Sequence, residues 1–260
     1  FKQKTAYEIY QCDWSSDVCS SDLLGIPARA EARRSRVVLG ARRRVKSAIG
    51  TGPTAGIARA GRGPYILRPT RQSLGRTLMP RITMLADKSQ LPAEQHAEYD
   101  RIKEFLHGVR GPFQILLHSP GLAEKVMEAG GQVRLGSRLT MVERTLVILA
   151  VAREKDARYE WAAHVKNGRN AGMREEAIDA IKHRKDVSGL EPDERDIILF
   201  VRQWLRTNKV DDALFNSLKE RKGERWLVEI AATAGQYQYI ATINGIFGVE
   251  PAADADQLPV

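Results

Sequence analysis

The segment Thr140-Met-Val-Glu143-Arg-Thr-Leu146-Val-Ile-Leu-Ala-Val-Ala152 decides the fold of this chain. Thr140 is followed three residues later by Glu143, which is the capping-box pattern of a helix N-terminus. Seven apolar residues then follow without a break, from Leu146 to Ala152, so the helix is apolar on every face. Because a helix of that composition is normally buried, the segment predicts a central helix against which the other elements pack.

The sequences on both sides of this helix repeat apolar residues at helical spacing, and none shows a strand pattern or a solenoid repeat. Helix-start signals such as Ser119-Pro120 and Glu191-Pro192, and glycines at helix ends, set the predicted boundaries. Besides the central helix we expect helices over 92–106, 120–131, 156–172, around 177–181, from 192, from 211 and over 224–247. The prediction is an all-α domain of about eight helices.

The net charge of +9 is very unevenly distributed along the chain. Residues 24–78 hold twelve Arg and one Lys against a single Glu, whereas residues 1–23 lack periodicity and resemble translated sequencing-adapter DNA. We therefore expect the folded domain to be 79–260, with its start at Met79 or Met84. A nucleic-acid-binding arm and an Arg-rich transit peptide remain open as alternatives for 24–78, although the preferred interpretation predicts no nucleic-acid partner.

Cysteine usage and hydropathy indicate the compartment. Cys12 and Cys19 are the two cysteines of the chain, and both precede the predicted domain. A cysteine-free domain suits the cytosol. No apolar run reaches the roughly 18 residues of a membrane span, so we predict a cytoplasmic protein without a membrane partner.

The segment Tyr159-Glu160-Trp161-Ala-Ala-His164 contains the pair of side chains best suited to chemistry. Glu160 and His164 are four residues apart, which makes them neighbours on a helix. A carboxylate beside an imidazole can bring the imidazole pKa into the range needed for acid–base catalysis. The alternative is a structural contact inside a packed interface, and the spacing alone leaves both interpretations open.

Other kinds of site have weaker support. A metal site made of Glu143, Glu160 and His164 lacks a second histidine at ligand spacing. No glycine-rich phosphate loop and no Gly-x-Ser-x-Gly elbow is present. We therefore expect neither a metal nor a cofactor.

Several motifs together resemble the carboxymuconolactone decarboxylase-like family, whose superfamily includes the alkylhydroperoxidase D-like proteins. They are Leu117-His-Ser-Pro-Gly-Leu-Ala123, Arg138-Leu-Thr-x-x-Glu-Arg144, Tyr159-Glu-Trp-x-x-His164, Gly172 and the pattern Gly235-x-Tyr237…Asn244-x-x-x-Gly248. The resemblance covers essentially all of 79–260. It implies an all-α fold assembled as a homo-oligomer, with sites near subunit contacts.

The resemblance also implies roles for individual residues. In the peroxidase branch of the superfamily, a Glu, a Cys-x-x-Cys pair and a His form a proton relay. His164 takes the relay histidine position, and Glu143 takes the relay glutamate position if two residues are inserted in the turn before Arg158. The two cysteine positions fall on Ala157 and Glu160. Because thiol-based peroxide reduction needs two thiols, we expect no such activity from this domain.

What the resemblance leaves is decarboxylase-type, or lyase-type, chemistry on a small carboxylated or lactone substrate. His164 is then the acid–base residue, Glu160 tunes it, and Glu143 orients the imidazole or relays the proton. The candidate substrate-binding residues are Tyr159, Trp161, Arg138 and Arg144. The competing hypothesis is a binding or assembly module in which Glu160 and His164 form interface structure.

Overall fold

The structure is a computed structural model that describes residues 79–259. In this range the chain forms nine α-helices and no strand, which confirms the predicted all-α class. The helices are α1 (His96–Leu106), α2 (Pro112–Leu116), α3 (Pro120–Leu135), α4 (Met141–Glu154), α5 (Arg158–Asn170), α6 (Glu175–Lys182), α7 (Pro192–Thr207), α8 (Asp212–Lys222) and α9 (Glu224–Phe247). The count exceeds the expected eight because α2 forms a short helix of its own. The interpretations of residues 1–23 and 24–78 concern segments outside the described range.

Helix α4 is the central helix, as predicted. It packs against α5, α6, α7 and α9, and its residues from Leu146 to Ala152 are all buried. The predicted capping box is present: the Glu143 amide donates to Thr140 Oγ1 at 3.1 Å, and the Thr140 amide donates to Glu143 Oε2 at 2.9 Å. These two bonds satisfy backbone donors that a helix N-terminus otherwise leaves unpaired.

Helix α3 differs from the prediction. It does not end at Gly130-Gly131 but continues to Leu135, with Gly136 as the C-terminal cap. A Cβ atom on Gly131 would lie 2.6 Å from Cζ of Phe105 in α1. The missing side chain therefore allows α1 and α3 to approach closely, and it does not terminate the helix.

Helices α9 and α5 differ in how closely their observed ends match the predicted ones. Helix α9 begins and ends as predicted and is capped by Gly248, whose φ of +68° is the left-handed conformation that glycine adopts without strain. Helix α5 begins at Arg158, two residues later than predicted. Asp156 has a φ of +49°, so it lies in the turn before the helix, where it binds Arg153 and Arg184.

Two clusters of buried apolar residues meet along α9. One surrounds α4 and includes Trp161 and Tyr237, and the other lies among α1, α2 and α3 and includes Ile240. Helix α9 thus links the two clusters and also packs against α5. Within residues 79–259, no helix combines the length and apolar character needed to cross a bilayer.

Candidate functional site

Four polar side chains lie together where α5 packs against α9. Glu160 and His164 come from α5, and Tyr237 and Asn244 come from α9; we call these four residues the polar cluster. Their exposed fractions are 1%, 5%, 2% and 3%, in the order Glu160, His164, Tyr237 and Asn244. Because burying polar groups is costly unless they are hydrogen-bonded, the distribution of bonds within the cluster is informative.

Glu160 uses its two carboxylate oxygens differently. Oε1 accepts a hydrogen bond of 2.6 Å from the Asn244 side-chain amide. Oε2 lies 3.5 Å from Nε2 of His164, which is the outer limit of a hydrogen bond. Among residues 79–259, Glu160 Oε2 and Asn244 Oδ1 have no hydrogen-bond partner. The carboxylate is therefore fixed on one side and directed at the imidazole on the other.

Tyr237 packs its ring against His164. The two ring centroids are 5.1 Å apart and the planes are nearly perpendicular, at 87°. The Tyr237 hydroxyl is buried and has no hydrogen-bond partner in the described part of the chain. Burial raises the pKa of Tyr237 to about 12, an effect that Arg134 and Arg144 oppose and Glu160 reinforces. The hydroxyl therefore stays protonated at neutral pH.

An apolar pocket adjoins the polar cluster at Tyr237. It lies among α1, α2, α3 and α9, and its walls include Phe105, Phe113, Met127 and Ile240, with Arg134 and Gln236 as polar members. Its volume is about 20 Å³, room for about one water molecule. Tyr237 therefore borders the imidazole and also lines the pocket.

Within residues 79–259, the hydrogen bonds of Glu143 connect it to Thr140, Lys222 and Trp226 and not to the polar cluster. Its Oε2 serves the capping box, and its Oε1 accepts from Lys222 Nζ at 3.3 Å and from Trp226 Nε1 at 3.2 Å. These contacts account for the side chain at the start of α4. A catalytic role for Glu143 stays a prediction.

The two candidate aromatic residues have different surroundings. Trp161 is completely buried, and its indole N–H donates to Asp256 Oδ1 at 3.0 Å. Tyr159 packs on Gly111, where an added Cβ atom would lie 2.2 Å from the Tyr159 hydroxyl. Burial raises the pKa of Tyr159 to about 12, and nearby Glu160 adds to this effect while Arg110 opposes it. Both side chains contribute to packing on α5, and their role in substrate binding stays a prediction.

The two candidate arginines, Arg138 and Arg144, also differ in their surroundings. Arg144 donates to the backbone carbonyl of Arg134, and its charge opposes the rise in the pKa of Tyr237. At Arg138 it is the backbone amide that bonds, to Glu229 Oε2 at 2.7 Å. Arg144 is thus the candidate arginine that the structure places near the polar cluster.

Asp256 organises the residues on the other side of α5. It accepts hydrogen bonds from Trp161, from Arg169 Nη1 at 3.0 Å and from Lys182 Nζ at 2.7 Å. We call these four residues the C-terminal anchor. Burial alone would raise the pKa of Asp256, but the bonds from Lys182, Trp161 and Arg169 outweigh it and lower the pKa to about 2. In the described range, no three His, Cys, Asp or Glu side chains group as a metal site would require.

Sequence reasoning assigned no role to Tyr237 or Asn244, although both stood in a recognised pattern. They are seven residues apart, two helical turns, and so lie on one face of α9. A usable signal was present, because α9 has no charged residue from Ile230 to Phe247. An Asn and a Tyr in such a stretch need buried partners.

Comparison with known proteins bears on the family resemblance and on the fold. Residues 120–198 match the model of the Carboxymuconolactone decarboxylase family, which confirms the resemblance seen in the sequence. Among curated proteins, none matches the chain significantly.

Two crystal structures share the fold. An uncharacterized peroxidase-related protein from Silicibacter sp. TM1040 is 18% identical, with a TM-score of 0.56 over 69% of this chain and 96% of that one. An uncharacterized peroxidase-related protein from Ralstonia eutropha JMP134, described as an alkylhydroperoxidase AhpD core, is also 18% identical, with a TM-score of 0.55 over 67% and 93%. At this identity the likeness extends to the fold alone.

Proposed function

We propose that this chain, whose residues 120–198 match the Carboxymuconolactone decarboxylase family, catalyses proton transfer of the decarboxylase or lyase type on a small carboxylated or lactone substrate. His164 is the acid–base residue. The observation that carries the proposal is the buried Glu160–His164 pair, in which one carboxylate oxygen is held by Asn244 and the other is directed at the imidazole. A purely structural carboxylate would have both of its oxygens bonded.

The chemistry follows from what such a pair can do. When a substrate carboxylate leaves as CO₂, the electron pair of the broken C–C bond is delocalised into the adjacent carbonyl group. Protonated His164 then donates its proton to the substrate carbon, and the neutral imidazole is reprotonated from solvent. Glu160 Oε2 lies 3.5 Å from Nε2, so a small movement brings it within hydrogen-bonding distance of that nitrogen.

Thiol-based peroxide reduction has no nucleophile in this domain. Residues 79–259 contain no cysteine, and in the family resemblance Glu160 stands at one of the two cysteine positions. An acid at that position supports proton transfer, since a carboxylate cannot form the disulfide on which the peroxidase cycle depends.

The test compares His164→Gln with His183→Gln in the full chain. His183 is an exposed histidine, so its replacement is a matched control. CO₂ release is measured over a panel of carboxylated γ-lactones and β-keto acids. We expect His164→Gln to lose roughly 10²- to 10⁴-fold in kcat, as removal of a general acid does, while His183→Gln retains the parental rate.

Unchanged turnover in His164→Gln would overturn the assignment. If that variant kept its rate and separated into smaller species in solution, the alternative hypothesis of a binding or assembly module would be supported instead. Circular dichroism of both variants excludes general unfolding as the cause of lost activity.

A further inference from the structure

We propose that the outward face of α9 is the contact surface for a second copy of this chain, with the two α9 helices antiparallel about a two-fold axis at Gly235. The inference does not depend on the proposed function. We call this surface the α9 face, and it is made of exposed residues that recur every three or four positions: Val228, Ala231, Gly235, Tyr239, Thr242 and Ile246.

The composition of the α9 face is the first reason. The outer face of a helix on a protein surface normally carries charged residues, yet α9 has none from Ile230 to Phe247. Val228, Tyr239 and Ile246 are instead exposed to 67%, 36% and 52%. At a rise of 1.5 Å per residue, these side chains extend over about 27 Å. An exposed apolar surface without charge is typical of a protein contact.

Gly235 supplies the second reason. Glycine in the interior of a helix lowers stability relative to alanine. At Gly131 and Gly168 the chain itself accounts for the glycine, because an added Cβ atom would lie 2.6 Å from an atom of Phe105 or Met173. At Gly235, no atom of another helix within residues 79–259 lies within 4 Å of such a Cβ. A second helix that crosses at Gly235 would use the missing side chain to approach closely.

The α9 face matches itself when a second copy is placed antiparallel about Gly235. Each residue then faces the residue that lies equally far on the other side of Gly235 in the second helix. Tyr239 comes opposite Ala231 of the second copy, so a large ring lies over a small side chain. Val228 comes opposite Thr242. Large side chains thus face small ones, which allows two helices to pack closely.

The charges at the two ends of α9 match as well. Glu224 begins α9, and its side chain is 76% exposed although it pairs with Lys219. Arg81 lies at the other end, where its guanidinium donates to the Ile246 carbonyl at 3.0 Å. In the antiparallel pair, Glu224 comes opposite Ile246 of the second copy and therefore beside its Arg81. A parallel pair would instead bring the two Glu224 carboxylates together, so charge favours the antiparallel arrangement.

Sedimentation velocity of the full chain tests the α9 face. Gly235→Glu places two like charges at the proposed two-fold axis, and we expect it to halve the mass of the assembly that the parent chain forms. Ala97→Glu adds the same side chain at an exposed position on α1 and should keep the parental mass. Circular dichroism checks that both variants are folded.

Gly235→Ala is the variant in which loss of folding cannot explain the result, because alanine favours a helix more than glycine does. The two added methyl groups hold the helices apart at the axis. We expect the dissociation constant of the pair to rise about tenfold or more.

Charge reversal tests the orientation of the two helices. Glu224→Arg should weaken self-association about tenfold, since it acts at both ends of the pair. Adding Arg81→Glu to Glu224→Arg should restore most of the affinity, because each end then has opposite charges again.

Three results would overturn the proposal. A parent chain that stays monomeric would leave the α9 face to a different partner. Parental mass in Gly235→Glu, or an unchanged dissociation constant in Gly235→Ala, would place the contact between copies elsewhere. Failure of Arg81→Glu to rescue Glu224→Arg would exclude the antiparallel arrangement.

Discussion

Helix α5 carries two consecutive residues, Glu160 and Trp161, whose surroundings contrast. Glu160 faces α9 in the polar cluster, and Trp161 faces Asp256 in the C-terminal anchor. Among the described residues, Asp256 is about one-quarter exposed and accepts from three donors, whereas Glu160 is 1% exposed and accepts from Asn244 alone. The carboxylate with less access to water thus has fewer hydrogen bonds.

That difference in hydrogen bonding supports different proposed roles for the two carboxylates, a structural one for Asp256 and an acid–base one for Glu160. A buried charge without full compensation costs stability, and a fold tolerates the cost where the group performs a task. Asp256 is bonded as a structural residue is, since its partners tie the C-terminal segment to α5 and α6. Glu160 retains an oxygen directed at His164, as the proposed acid–base pair requires.

The largest stability effect is expected at the C-terminal anchor. Trp161→Ala removes a completely buried indole together with its bond to Asp256. We expect a loss of about 3–5 kcal/mol in the free energy of unfolding, measured by chemical denaturation of the full chain. Trp204 on α7 is 43% exposed, so Trp204→Ala is the matched control, with an expected loss below about 2 kcal/mol. Equal losses for the two variants would contradict the packing described for α5.

The next effect concerns the polar cluster. Asn244→Leu leaves the Glu160 carboxylate buried without its donor, and we expect a loss of about 2–4 kcal/mol. Glu160→Gln in the same background removes the charge, so the second replacement should restore part of the lost stability. A double-mutant cycle by urea denaturation measures this coupling. Strictly additive losses would mean that Asn244 does not stabilise the Glu160 carboxylate.

The smallest effect depends on pH. The pKa of Asp256 is lowered from 3.8 to about 2 in the folded chain, so its ionised form stabilises the fold above about pH 4. We expect Asp256→Asn to lose about 1–2 kcal/mol at pH 7. The difference from the parent should shrink as the pH falls from about 4 to about 2, because the carboxylate becomes protonated. Asp254→Asn, at an exposed position, should show no such trend, and a constant difference for Asp256→Asn would argue against the lowered pKa.

The helix boundaries show which features of the fold can be predicted from the sequence. The capping box at Thr140 and the limits of α9 are set by neighbouring residues, so they were predictable. The helix end predicted at Gly130-Gly131 is wrong because the role of Gly131 depends on Phe105, which lies on a different helix. Local patterns therefore predict the elements and their order.

The contacts between helices at the site could not be predicted from local sequence patterns. Glu160 and His164 were found because they are one helical turn apart. Asn244 is 84 residues from Glu160, and Asp256 is 95 residues from Trp161. Neither pairing can be read from spacing, since it depends on how α9 and the C-terminal segment pack against α5.

The most direct test of the polar cluster as a proton-transfer site is chemical rescue of His164→Ala. This variant leaves a space of imidazole size beside Glu160. The substrate is the carboxylated lactone or keto acid that the parent chain decarboxylates, and its turnover is measured at increasing concentrations of imidazole. We predict that His164→Ala is inactive alone, and that imidazole restores activity saturably while the double variant Glu160→Gln, His164→Ala is rescued much less. Full activity of His164→Ala without imidazole would contradict the account.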